Sequence, residues 1–373
     1  MTASEYTRRF ILTAQALLLL MFIPACRNGN ETGTVETSPL PETLLLKDFR
    51  PESIYRIPAT EVGRSKYPVI DMHAHDYAGS TEGLDEWVRT MDEVGIERTV
   101  VLSMEYGQKF DSILEVYAAY PERFEVWCGF DYSGYEDPGW PAGAIAELER
   151  CCRKGARGVG ELGDKGKGLY YSKPPAWGMH PDDPRMDPLW EKCGELGLPV
   201  SLHIADPKWM YLPMDSTNDG LMNAYTWRLD DQPGIVDHQG MIDILERTVK
   251  KHPHTIFIAC HLANCSYDLD LLANLLDRYP NLYADIGARY AEICAIPRAA
   301  NRFLVRYQDR IVYGTDMGRA VDMYRITLRL LETNDEHIYD DRFGYHWPLH
   351  ALDLQDQVLG KIYRTNALKI LGR

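Results

Sequence analysis

Short apolar runs separated by helical patterns repeat along the chain from residue 68 onward. No other feature of the sequence restricts the fold as tightly. The runs are PVIDMH (68–73), RTVVLS (98–103), FEVWCGF (124–130), ARGVGEL (156–162), LPVSLH (198–203), TIFIACH (255–261), NLYADIG (281–287) and RIVYGTD (310–316). Amphipathic segments lie between them, among them LDEWVRTMDEVG, AIAELERCCRKG and DPLWEKCGELG. Asp187-Pro188 gives the last of these a helix start, and Gly197 gives it a stop. Strand–helix alternation repeated eight times predicts an α/β fold, a (β/α)8 TIM barrel of parallel strands forming a single catalytic domain. The nearest alternative is a doubly wound open sheet. The number of units, and the lack of Gly-x-Gly-x-x-Gly after the first run, favour the barrel.

In such a barrel the active site lies at the C-terminal ends of the strands. His73 and His75 close the first run, two residues apart, and a strand would point both to one face. Glu161 ends the fourth run, His203 the fifth, His261 the sixth and Asp316 the eighth. A single histidine at a strand end is more often a core or loop residue than a ligand. Four histidines and an aspartate at one rim read together as a metal site.

The remaining composition is that of a globular protein, with 45% hydrophobic and 25% charged residues. A net charge of −15 argues against a nucleic-acid partner, which would call for a basic footprint. Arg8 and Arg9 precede an uncharged stretch from Phe10 to Ala25 that is short for a membrane span and is interrupted by Pro24. Ile23-Pro24-Ala25-Cys26 resembles the lipobox of bacterial lipoproteins, in which the cysteine is lipidated. The expected organisation is a signal peptide over 1–26 with lipidation at Cys26, a flexible tether over 27–50 and the barrel over 51–373. The protein is then exported and held at the periplasmic or cell-surface side of a membrane by its lipid alone. The seven later cysteines have no zinc-ribbon spacing and are expected to be mostly buried small apolar residues.

DMHAH at the first strand, SLH on the fifth, IACHLAN on the sixth and VYGTD on the eighth resemble the amidohydrolase superfamily. The likeness is nearest to the amidohydrolase-related branch that includes aminocarboxymuconate semialdehyde decarboxylase. It covers about residues 65–372 and extends to HIADPKWMYLPMD, YADIGAR and the tail KIYRTNALKIL. The resemblance implies that His73, His75, His203 and Asp316 hold the metal. It also implies that His261 orients or deprotonates a water on that metal, and that the protein is a homodimer. Three imidazoles and a carboxylate suit one Zn²⁺, and Mn²⁺ and Fe²⁺ accept the same set. The fourth strand lacks the bridging lysine that binuclear members carry. Glu161 is therefore expected in a supporting polar role beside one metal, or as the bridge to a second.

Lys165, Lys167, Lys208, Arg289 and Arg319 follow strand ends. On an acidic chain this points to a small anionic substrate, with a carboxylate the natural group. Arg289 is the foremost candidate to bind it, with Lys165, Lys208 and Trp209 beside it. The long loop after the fifth strand carries Trp209, Tyr211, Tyr225 and Trp227, which either cover the pocket or pack the loop onto the barrel. His337, His346 and His350, after the eighth strand, fit no metal spacing. The leading expectation is hydrolysis of an amide, ester or lactone by metal-activated water, with Asp316, His261 and Glu161 catalytic. The alternative is non-oxidative decarboxylation on the same residues. A non-catalytic lipid-anchored binding protein is third, and the presence of every expected ligand argues against it.

Overall fold

The computed structural model describes residues 41–170 and 174–373. The expected leader with Cys26, and the expected tether as far as residue 40, lie outside the described residues. No helix among them is long and apolar enough to cross a membrane.

The strands are β1 (Val69–Ala74), β2 (Ile96–Leu102), β3 (Phe124–Trp127), β4 (Val159–Asp164), β5 (Gly168–Leu169), β6 (Ala176–Trp177), β7 (Val200–Ile204), β8 (Phe257–Ala259), β9 (Leu282–Asp285) and β10 (Ile311–Val312). β5 and β6 make a small antiparallel hairpin. The other eight are parallel, in the orders β1-β2-β3 and β4-β7-β8-β9-β10. A bridge between Cys128 and Val159 joins β3 to β4. Two backbone bonds close the ring between its first and last strands. Met72 N–H donates to Tyr313 C=O, and Asp316 N–H donates to His73 C=O, each at 2.9 Å. The fold is the (β/α)8 barrel that the eight runs predict.

The intervening helices form for local reasons. In Thr81–Val94, Ser80 Oγ caps the Gly83 N–H, and Gly95 ends the helix at φ 90°. Its buried Leu84, Trp87, Val88 and Met91 form one stripe against the sheet. Asp187–Leu196 starts with Pro188 in its first turn and ends at Gly197, φ 65°. Inside the barrel, Ile70, Met72, Val100, Leu102, Ile258, Tyr283 and Val312 make a separate apolar cluster, joined by Ala367 and Ile370 of the closing helical stretch.

Two departures from regular strands shape the rim. Strict alternation from Ile70 and Met72, which face the interior, would turn His73 outward. The pairing of β1 with β2 shifts register between Asp71 and Ala74, and His73 faces inward. Such an irregularity re-aims a side chain beside a site. The sixth run also stops early. From His261 to Asn264 the backbone is left-handed, with φ of 60°, 53°, 51° and 54°, and none of the four is glycine. Each such residue costs roughly 1–2 kcal/mol. Asn264 holds the turn by donating from Nδ2 to the carbonyls of Ile204 (3.0 Å) and Ala205 (3.1 Å).

His238, at the start of the helix His238–Lys251, supports the same turn from outside. Its Nε2–H donates to Asn264 C=O at 2.9 Å, and Tyr267 OH donates to its Nδ1 at 3.3 Å. Burial pulls its pKa down to about 4. The unfolded chain then takes up a proton near pH 6.5 that the folded chain refuses until about 4. This contribution to stability is therefore complete above 6.5 and lost as pH falls toward 4. It is worth about 3 kcal/mol. Denaturant midpoints measured from pH 7.5 to 4.5 should fall less steeply in His238→Gln than in wild type. Equal slopes would assign the proton elsewhere.

Candidate active site

Six side chains from five strand ends meet over the inner cluster. His73 and His75 come from β1 and its end, Glu161 from β4, His203 from β7, His261 from the left-handed turn after β8 and Asp316 from the turn after β10. His75 Nε2 lies 3.2 Å from Asp316 Oδ1 and 3.5 Å from Glu161 Oε2. His73 Nε2 is 3.6 Å from Asp316 Oδ1 and from Glu161 Oε1. Glu161 Oε1 is 2.8 Å from His203 Nδ1 and 3.1 Å from His261 Nε2.

The outward nitrogen of each imidazole has an acceptor. His73 Nδ1–H donates to Asp285 Oδ2 at 2.9 Å, and His75 Nδ1–H to Leu102 C=O at 3.0 Å. His203 Nε2–H donates to Asp206 Oδ1 at 3.0 Å, and His261 Nδ1–H to Gly287 C=O at 2.8 Å. These partners fix the tautomers, and the second nitrogen of every ring then aims at the common centre. Asp285 also accepts the backbone N–H groups of His261 (3.0 Å) and Gly287 (2.8 Å), so one carboxylate orients parts of three strand ends.

The donor set fits a divalent cation. His73 Nε2 is fully buried and has no hydrogen-bond partner among the described residues, which suits a metal ligand and little else. Ligand atoms of His73, His75 and Asp316 lie within 4.8 Å of one another, as do those of Glu161, His203 and His261. Burial pushes the imidazoles of His73, His75 and His203 down, yet the facing carboxylates hold all three above the ordinary value. Burial pushes Glu161 and Asp316 up, and the surrounding imidazoles hold both well below the usual carboxylate range. A cation in place of those protons satisfies the same carboxylates. His261 differs: burial, then the charges on His203 and Arg289, push it below the ordinary value, against its bond to Glu161. The cluster opens toward solvent on one side. His75 and Asp316 keep 22% and 18% of their side chains exposed, and His73 keeps none.

The cations divide. Arg289 is largely buried beside the cluster. Its Nε donates to Asn264 Oδ1 at 2.9 Å and its Nη1 to Glu292 Oε1 at 3.2 Å. Lys165 is buried against Asp206, 2.7 Å away. Lys208 is half-buried over the Tyr267 ring. Lys167 bonds Gln232 and Arg319 bonds Glu86. Trp209 packs on Tyr345 and Trp347, whose rings stack 4.1 Å apart. Tyr345 OH donates to Glu292 at 2.8 Å, so the segment after β10 walls the Arg289 side of the site. Sequence reasoning missed Asp206, Asp285, Asn264, Glu292, Tyr345 and Trp347. The strand-end rule applied to the seventh run would have found Asp285. His337, His346 and His350 enter no metal-binding group among the described residues.

A closed parallel barrel with imidazoles and carboxylates converging on its C-terminal rim defines a metal-dependent enzyme. Comparison with known proteins makes the class specific. The sequence profile described as amidohydrolase matches residues 66–373. The chain belongs to the amidohydrolase family, in its amidohydrolase-related branch. No curated protein matches it. Solved structures share the fold. A dihydroxybenzoic acid decarboxylase from Polaromonas sp. JS666, with bound manganese and the inhibitor 2-nitroresorcinol, is 17% identical over 82% of this chain and 97% of that one, with a TM-score of 0.52. A 5-carboxyvanillate decarboxylase from Novosphingobium aromaticivorans DSM 12444, complexed with manganese and 4-hydroxy-3-methoxy-5-nitrobenzoic acid, is 16% identical over 84% and 99%, with a TM-score of 0.50. A TIM-barrel protein from Bordetella bronchiseptica is 17% identical over 82% and 100%, also at 0.50.

Proposed function

We propose that the protein catalyses the non-oxidative decarboxylation of a small aromatic or cyclic carboxylate, at a site holding one divalent ion through His73, His75, His203 and Asp316. The observation that carries this reading is Arg289. Its guanidinium sits close enough for its charge to act on His261 and to be acted on by Asp316. It also lies beside the wall of Trp209, Tyr345 and Trp347. A guanidinium suits a carboxylate and a flat aromatic wall suits a ring. Decarboxylases solved with manganese and nitroaromatic ligands share the barrel, which supports the same substrate class.

A bound ion, whether Mn²⁺, Zn²⁺ or Fe²⁺, supplies Lewis-acid stabilisation of charge on the substrate. Arg289 orients the anion, with Lys208 on the loop outside it. Loss of CO₂ leaves the bonding electron pair on the ring carbon, which must gain a proton. Glu161, an ionised carboxylate in contact with both His203 and His261, would take that proton from water and pass it to the carbon. Hydrolysis of an amide, ester or lactone is the second reading. It is favoured by one observation, that Asp316 and Glu161 are both held ionised and can accept a proton from an attacking water.

The products separate the two. Metal-loaded protein given carboxyl-labelled 2,6-dihydroxybenzoate, 5-carboxyvanillate and related acids should release labelled CO₂ in step with substrate loss. No CO₂ from any acid, with new carboxylate from a panel of esters and lactones, would put hydrolysis in its place.

A further inference from the structure

Lys165 follows β4 and Asp206 follows β7, and the two meet behind His203. Lys165 Nζ lies 2.7 Å from Asp206 Oδ2, while Asp206 Oδ1 takes the Nε2–H of His203 at 3.0 Å. Lys165 is 9% exposed and Asp206 3%. The loop after β7 is stitched over this pair. Tyr211 OH accepts the Asp206 N–H at 3.2 Å and donates to the Lys165 carbonyl at 2.9 Å. Val236 N–H donates to Gly166 C=O at 2.9 Å, and the Trp227 ring lies 5.5 Å from Lys165 Nζ.

This geometry sets the orientation of His203. With the ammonium on Oδ2, the oxygen facing the imidazole is an acceptor, so His203 must present N–H to it. Its lone pair then falls on Nδ1, which faces Glu161 and His261 Nε2 at 2.8 and 3.1 Å. A carboxylate behind an imidazole also raises its strength as a ligand. Lys165 could bind a substrate anion only by leaving a buried partner, which is costly.

We propose that Lys165 and Asp206 act as a buried positioning pair that locks His203 with Nδ1 toward the metal, so that Lys165 governs metal affinity and not substrate affinity. The proposal rests on the reading of this cluster as a metal centre. The test is competition of Zn²⁺ and of Mn²⁺ between a chromophoric chelator and the wild type, Asp206→Asn, Lys165→Met and Lys165→Arg, with thermal melts to check folding. Binding of 2,6-dihydroxybenzoate to the manganese-saturated proteins is measured alongside. Asp206→Asn should weaken metal binding roughly 10–100-fold and Lys165→Met about tenfold. Lys165→Arg, which keeps the charge, should stay within about threefold of wild type. Benzoate binding at saturating metal should not change.

Wild-type metal affinity in Lys165→Met overturns the proposal, and weakened benzoate binding in that variant would make Lys165 a substrate ligand. Should Lys165→Met fail to fold, the double variant Lys165→Met/Asp206→Asn removes both charges. Wild-type affinity there is equally fatal. A wild type that binds neither metal defeats the metal-centre reading itself. One that binds tightly, with every variant unchanged, defeats the positioning pair alone.

Discussion

Replacing His203 with alanine removes metal retention and turnover together. The imidazole is the piece that ties Glu161 on one side to Asp206 and Lys165 on the other. Its loss takes away one inward nitrogen and leaves the Glu161 and Asp206 carboxylates facing a gap. Removing a group that merely supports a ligand costs 10–100-fold in affinity, so removing the ligand should cost about a thousandfold or more. In turnover that is roughly 4 kcal/mol of transition-state stabilisation. Elemental analysis after gel filtration should find about one ion per chain in wild type and next to none in the variant. His252→Gln serves as the control: it changes a buried imidazole bonded to Asp187, outside the cluster, and should keep its metal. A His203→Ala protein that retained both metal and activity would show that the cluster is not the site.

Asp71→Ala should strongly destabilise the barrel. Asp71 is fully buried at the seam between β1 and β10. It accepts the N–H of Thr315 at 2.9 Å, the Thr315 hydroxyl at 2.5 Å, the N–H of His73 at 3.1 Å and the Tyr324 hydroxyl at 3.3 Å. Alanine would leave the two N–H groups and the Tyr324 hydroxyl buried without that acceptor and the Thr315 hydroxyl with only a long bond to Tyr313, a loss of about 4 kcal/mol. Asparagine keeps one oxygen in place and should lose about half as much. Burial has already pushed the Asp71 carboxyl up to about 6, against the pull of its bonds to Thr315, so a neutral side chain is tolerated there. Denaturant midpoints at pH 7 check the order wild type, Asn, Ala. An alanine variant as stable as wild type would mean that the seam closes without Asp71.

Much of the barrel was legible in the sequence because its strands are buried on both faces and read as apolar runs. The cluster was legible because its imidazoles end those runs. What stayed hidden depends on partners far away in the chain. Asp206 and Asp285 look like ordinary loop and strand acids until His203 and His73 are seen to lean on them. The inward turn of His73 depends on a register shift that simple alternation does not encode. Nor does Leu262-Ala263 announce a left-handed turn, since neither residue favours that conformation. Tyr345 and Trp347 sit in a segment with no clear period, and only stacking against Trp209 brings them to the site.

The seam has a bearing on how the protein is made. His73 lies on the first barrel strand and Asp316 just past the last, joined by one of the two backbone bonds that close the ring. A chain emerging from the ribosome therefore displays its first two histidines long before Asp316 exists. No N-terminal fragment that stops short of residue 316 contains the full set, so the complete cluster exists only once the last strand has met the first.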